Sequence, residues 1–177
     1  MYIACPLRMA VDAFFEGLCA KQTTAQRLEY FSTTEALILQ HSPAICPSIA
    51  AFRVTGQNAV RSYFDILSTH WHRENLQLRG APLVDVHSRS ASYDASITWI
   101  WRRSGRRWTE EFNCAITFDD NLKVVSLIIR TDSAPETCVM NAKDVDSSPL
   151  ECEGRPCRNR AISHTVSAKP LAPESCA

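Results

Sequence analysis

Between Pro82 and Pro135 the chain carries no proline, and its only glycine there is Gly105. Within that stretch Ala91–Trp101, Arg106–Phe118 and Leu122–Asp132 are rich in β-branched and aromatic residues. They predict three long antiparallel strands. If Ser104-Gly105 is a two-residue turn, Trp101 faces Trp108, Trp99 faces Glu110, Ile97 faces Phe112 and Tyr93 faces Ile116. The other face then pairs Thr98 with Glu111, Ser96 with Asn113 and Asp94 with Ala115. One face is aromatic and aliphatic and the other mostly polar, as expected of an antiparallel sheet buried on one side. A slip of one residue would scramble that segregation.

The second turn is Asp119-Asp120-Asn121. A three-residue loop sets Glu110 opposite Arg130 and Phe112 opposite Ile128. A two- or four-residue loop sets Thr131 and Ile129 there instead. The charge match favours the first. The run Val124, Val125, Leu127, Ile128, Ile129 is apolar on both faces. It needs cover on both sides, from its own helices or from a second copy, so a homodimer through the sheet is expected.

Ahead of these strands the periodicity is helical. Leu7, Ala10, Val11, Phe14, Phe15 and Leu18 form a broad stripe over Leu7–Ala20. Thr23 and Gln26 fit a capping box for a second helix carrying Ala25, Leu28 and Phe31. Ala36–His41 reads as a short strand, and Ser42–Ala51, with Pro43 and Pro47, as a loop. A third helix follows Thr55, a candidate cap, and repeats Val60, Tyr63, Phe64, Leu67 and Trp71. His70 and His72 close it and point to different faces, which makes them poor joint metal ligands. Leu83–His87 reads as a weak strand. Helices first and then a long antiparallel sheet is an α+β order. The domain is expected over 1–135, with 136–177 a mostly disordered tail.

Nineteen basic residues balance nineteen acidic ones. That balance argues against a polyanion binder, and Arg102, Arg103, Arg106 and Arg107 read as a solvated hairpin tip rather than a nucleic-acid contact. No run approaches the ~20 apolar residues of a membrane span. Pro6, Arg8, Asp12 and Glu16 interrupt any leader-like apolar run, so the start reads as mature protein. The eight cysteines include no C-x-x-C pair, so they do not read as a zinc site. Reduced thiols in a cytoplasmic protein are expected. There is no G-x-S-x-G and no glycine-rich phosphate loop, and Cys114 reads as a small apolar core residue.

Several stretches together resemble the nuclear transport factor 2-like superfamily, and within it the SnoaL-like group. They are Leu28-Glu29-Tyr30-Phe31, Gly56-x-x-Ala59-Val60-x-x-Tyr63-Phe64, the hairpin from Trp99 to Trp108, and Phe118-Asp119-Asp120-Asn121-Leu122-Lys123-Val124. The match covers about residues 7 to 135, and the wording looks like small fungal members. The resemblance implies a cone-like fold, with a pocket between helices and the concave sheet face, and dimers. Where the family places glycine in the last turn this chain has Asn121, which tolerates the same left-handed backbone. Enzymes of the superfamily include ketosteroid isomerase, scytalone dehydratase and polyketide cyclases, which move protons in an apolar pocket. The implied activity is a cofactor-independent isomerase, dehydratase or cyclase on a small hydrophobic, polyketide- or terpenoid-like metabolite. The alternative is a non-catalytic ligand-binding or dimerisation module of the same fold.

Position supplies the candidate polar groups. His41 ends the short strand near the expected mouth, as a base or as a loop-packing or surface histidine. Glu110 sits within the aromatic face, where a carboxylate is costly unless functional; the alternatives are a salt bridge to Arg130 or an exposed strand end. Arg130 and Asp132 share a strand face, as an oxyanion holder and a base or as an ion pair closing the strand. Tyr63, Phe64, Trp99, Trp101, Trp108 and Phe112, with Tyr93, are expected to line the pocket or to be core. No cofactor and no metal site is expected.

Overall fold

The computed structural model describes residues 5–45 and 52–144. Residues 46–51, in the expected loop, and 145–177, most of the expected tail, lie outside the described residues. Two long strands carry the centre of the sheet, β5 (Ser90–Trp101) and β6 (Arg107–Phe118). They pair with Trp99 opposite Trp108, Ile97 opposite Glu110 and Tyr93 opposite Cys114. This is two residues from the expected register. The turn is a four-residue loop, Arg102–Gly105, in which Trp101 N–H donates to Arg106 O and Gly105 N–H to Trp101 O, both at 2.9 Å. Gly105, at φ 72°, supplies the left-handed residue such a loop needs. A shift of two leaves every side chain on its own face, so the segregation of faces is as read from the sequence.

The next hairpin shifts by an odd number, which reverses faces. β7 (Val124–Thr131) sets Thr131 opposite Phe112 and Arg130 opposite Asn113. The expected Glu110–Arg130 pair therefore does not form. The Asp119 carboxylate accepts from the backbone of Asn121 and Lys123, each at 2.9 Å, and so widens the turn. The left-handed residue is Leu122 (φ 58°), not Asn121, and a bulge follows Thr117.

The sheet is seven-stranded and mixed, in the order β2-β1-β7-β6-β5-β3, with β4 (Leu83–Asp85) on β5. Contrary to an all-antiparallel sheet, β1 (Ile38–Pro43) runs parallel to β7, setting His41 beside Ile129. β2 (Phe52–Thr55) covers the far side of β1. β3 (Trp71–Leu78) occupies what reads in sequence as the end of a helix and a connector. It pairs with β5 through a bulge between Glu74 and Gln77, where Asn75 takes φ 51°. The bulge adds a residue, so Trp71 and Arg73 before it and Leu76 and Leu78 after it share the inner face.

Three helices cover that face. α1 (Pro6–Cys19) buries Leu7, Val11 and Phe14, and α3 (Gln57–His70) buries Val60, Tyr63, Phe64 and Leu67. Between them α2 (Thr24–Leu28) has the expected capping box at Thr23. α3 is capped by Gly56 at φ 85° with no side-chain bond, rather than by Thr55. None of the described helices is long and apolar enough to cross a membrane. After β7, two 3-10 turns, Pro135–Thr137 and Val139–Asn141, bury Cys138 and Val139. These two buried residues lie past residue 135, with Cys138 beside His41 and Glu110 and the Val139 N–H directed at Glu110.

Gly17 marks a close approach: a Cβ there would lie 2.5 Å from the Tyr30 hydroxyl oxygen. Helix propensity alone favours alanine by about 1 kcal/mol, whereas overpacking costs about 1–3 kcal/mol. Gly17→Ala is expected to lower stability by about 1 kcal/mol in urea unfolding; a stabilised variant would show that Tyr30 yields freely.

Candidate active site

Glu110 on β6 and His41 on β1 both project from the inner face, and both are fully buried, at 0% and 2% exposure. His41 Nε2 lies 2.9 Å from Glu110 Oε1, and His41 Nδ1 lies 2.9 Å from the Tyr63 hydroxyl on α3. Thr131 O–H donates to Glu110 Oε1 at 2.5 Å and Trp99 N–H to Oε2 at 2.6 Å. Val139 N–H adds a longer bond of 3.4 Å to Oε2. Four separate parts of the chain therefore converge on one carboxylate.

Burial would drive His41 towards the neutral imidazole. Tyr63 and the Glu110 carboxylate reverse this and hold it well above its ordinary 6.5. Burial likewise pushes Glu110 up, but His41, Thr131 and Trp99 outweigh it and leave the carboxyl below its ordinary value. The pair is an imidazolium–carboxylate. A carboxylate only accepts, so Nε2 carries a proton, and in the imidazolium Nδ1 donates to the Tyr63 oxygen. The Tyr63 O–H proton is then free to point elsewhere.

Tyr63 and His41 line a narrow inner cavity of ≈ 50 Å³. Its walls are otherwise mainly apolar and include Phe64, Phe112 and Ile129. Tyr93 also lines it, with its hydroxyl buried beside the Cys114 thiol of the neighbouring strand. A wider cavity of ≈ 570 Å³ lies outside. The two share Leu18, Leu67, Arg73, Leu76 and Trp99, so Arg73 stands at the neck between them. Burial first, and the nearby Arg27 charge second, bring Arg73 down to about 10.

Of the four expected polar residues, His41 and Glu110 meet. Arg130 and Asp132 do not join them, because the register of β7 sends both to the outer face, where they are exposed. Asp132 sits there beside Asp94, with burial and that charge raising its carboxyl. Among the expected aromatics, Tyr63, Phe64, Trp99 and Phe112 line the inner cavity. Trp101 instead faces a separate surface pocket beside Met140, and Trp108 donates its N–H to Thr137 O at 2.8 Å. Trp108 thereby tethers the segment after β7. Sequence reasoning missed Arg73, Arg27 and Cys138. Arg73 has a signal in the pattern Trp71-x-Arg73-x-x-Leu76-x-Leu78, once a bulge is allowed. The hairpin arginines are largely tethered: Arg102 to Ser68 O, Arg106 to Lys143 O and Arg107 to Glu74.

His41, Glu110 and Cys138 place donor atoms within 4.8 Å of one another. They are the described residues able to hold a metal ion, and thiolate, imidazole and carboxylate are a zinc-type set. Against that, both ring nitrogens of His41 and both oxygens of Glu110 already serve hydrogen bonds. The donor set fits a hydrogen-bonded relay better than an ion.

No family model matches the sequence, and no curated protein does. Solved structures do match. The epoxide hydrolase/cyclase-like enzyme SalBIII, described for its role in pyran ring formation in polyether salinomycin, superposes with a TM-score of 0.59 at 13% identity, over 73% of this chain and 92% of that one. A nuclear transport factor 2-like protein of unknown function from Exiguobacterium gives 0.55 at 12%, over 71% and 99%. The fold is nuclear transport factor 2-like. BvnE pinacolase from Penicillium brevicompactum shares it, with a TM-score of 0.55 at 16% identity over 72% and 86%. At these identities the likeness is one of fold.

Removing one member of a buried pair costs about 3 kcal/mol, so Glu110→Gln is expected to lower stability by that amount. His41, raised, contributes stability that is complete below 6.5 and lost as pH rises through its folded value. Glu110, depressed, contributes stability that is complete above 4.5 and lost as pH falls through its folded value. The gap between wild type and Glu110→Gln in urea unfolding should be widest between these two pH values and narrow on either side. A gap independent of pH would contradict the ion pair.

Proposed function

We propose that this protein is a proton-transfer enzyme, an isomerase, dehydratase or cyclase acting on a small hydrophobic metabolite. The observation that carries the reading is the chain Glu110–His41–Tyr63, which ends in an apolar cavity. A carbonyl or ether-type oxygen seated in that cavity accepts a hydrogen bond from the Tyr63 hydroxyl. As negative charge develops on it, the Tyr63 proton moves to the substrate and the Nδ1 proton of His41 moves to the Tyr63 oxygen. Glu110 stays ionised and holds the ring. The Tyr63 oxygen then takes a proton from the carbon next to the protonated centre and passes its own proton back to Nδ1 of the neutral His41, so that the substrate gains a proton on oxygen and loses one from carbon, an isomerisation, or an elimination where the protonated oxygen departs. Tyr93 offers a second hydroxyl for the developing charge. In such dry surroundings these fixed dipoles are worth far more than in water.

Two fold neighbours are named as cyclase-like and as a pinacolase, which supports rearrangement or ring-forming chemistry here as well. The substrate class in this proposal is a polyketide- or terpenoid-like compound of secondary metabolism. Its reacting end occupies the inner cavity, and the remainder lies in the wider one, whose ≈ 570 Å³ suits a ligand of that size. A second reading, a ligand-binding module without chemistry, is favoured by one observation. Both Glu110 oxygens are already satisfied, as a purely structural network requires.

A panel of hydrophobic ketones, epoxides and polyketide-type acids and esters, screened for turnover and for binding, separates the two. Tyr63→Phe is expected to keep binding and to lose roughly 100-fold or more in kcat. Asp132→Asn, on the outer face, is expected to change nothing. Because the donor must be protonated, kcat should fall as pH rises through the His41 value. Full activity in Tyr63→Phe would remove Tyr63 from the mechanism, and binding without turnover would favour the module.

A further inference from the structure

Arg27 is 92% buried by its 8% exposure, and its guanidinium lies over the Phe64 ring at 5.6 Å. Its Nε has no hydrogen-bond partner. Arg73, at the neck of the cavity, spends one N–H on Ala20 O at 3.0 Å. Among the described residues neither arginine has a carboxylate partner. Both line the wider cavity, together with Lys21 and Arg102. The one carboxylate in that lining, Glu74, is already bonded to Arg107. Trp71 lines it too, and its buried indole N–H also lacks an acceptor. A buried cation without a counter-charge is unfavourable. The buried Arg27 and the half-buried Arg73 face one cavity and, with a spare indole donor, form a region short of an anion.

We propose that the neck between the two cavities binds the carboxylate of an acidic hydrophobic ligand, held by Arg27 and Arg73. Planar guanidinium forks match a carboxylate, and they bond it bidentately. Among the described residues that line the cavity no glycine-rich loop offers the backbone cradle typical of phosphate sites. Leu18, Leu67 and Leu76 flank Arg73 with apolar surface for the ligand's hydrocarbon part. Where the ligand is the substrate, which rests on the proton-transfer reading above, the carboxylate anchors it and leaves its far end at Tyr63.

Calorimetric titration of the full chain with dodecanoate, with methyl dodecanoate and with inorganic phosphate tests this, using wild type, Arg73→Gln, Arg73→Lys and Tyr63→Phe. The acid should bind at least ~10-fold tighter than the ester, with a preference that weakens as salt rises. Arg73→Gln should reduce the acid to the affinity of the ester, and Arg73→Lys should restore part of the difference. Tyr63→Phe should bind the acid as wild type does, so that an inactive relay and an absent anion site give different results. If Arg73→Gln does not fold, Arg27→Met carries the same comparison. Equal affinity for acid and ester, a preference that survives the arginine substitutions, or phosphate binding tighter than the acid would each overturn the proposal.

Discussion

Glu110 and His41 are buried together, and taking two charges out of water costs several kcal/mol per ion unless their hydrogen-bonding positions are filled. The fold meets that demand from many directions. β1 brings His41, β6 brings Glu110, β7 brings Thr131, β5 brings Trp99 and α3 brings Tyr63. The 3-10 turn after β7 adds a backbone N–H from Val139. Each of these elements must be in register for the pair to be tolerated. The parallel β1–β7 contact is part of this, because it sets His41 two positions short of Thr131 along the same inner face. Displacing β1 or β6 leaves a charge uncompensated, and displacing β5, β7 or the turn takes a donor from the carboxylate.

Much of the sheet was legible in the sequence because strand faces follow a period of two. Apolar and aromatic residues at Tyr93, Ile97 and Trp99 and at Phe112, Cys114 and Ile116 mark the inner face whichever even register is chosen. Register itself depends on loop length. Asp119 draws two backbone amides into a wider turn than Asp119-Asp120-Asn121 suggests, and the resulting odd shift carries Arg130 and Asp132 outward. The charge match with Glu110 was misleading for the same reason: an oppositely charged residue at the right spacing is common, whereas the true partner, His41, lies 69 positions away. β3 stayed hidden because its bulge at Asn75 breaks the alternation that would announce it. Arg73 went unnoticed with it. Arg27 carries no sequence signal at all, since an arginine in a short helix ordinarily points to solvent.

The interior is graded in polarity. Near Tyr63 it is narrow and mainly apolar, apart from the two tyrosine hydroxyls and the Glu110–His41 charge behind them. Around Arg73 it widens and becomes cationic. Such a gradient orients an amphiphilic guest with its polar end outward. Under the proposed reading it would also separate ligand binding from proton delivery, so that one could change while the other is kept. Solved structures that share the fold at 13% and 16% identity include an epoxide hydrolase/cyclase-like enzyme and a pinacolase. In a fold that hosts several reactions, the groups placed at the end of the cavity set the chemistry.

The protonation state of His41 is the most direct test of this account. The ¹⁵N chemical shifts of its ring, measured at neutral pH in protein labelled at histidine, report each nitrogen separately. The ion pair predicts that both nitrogens carry protons, with Nδ1–H bonded to Tyr63 and Nε2–H to Glu110. A neutral ring with one bare nitrogen would contradict it, and would leave Tyr63 donating to His41 rather than into the cavity.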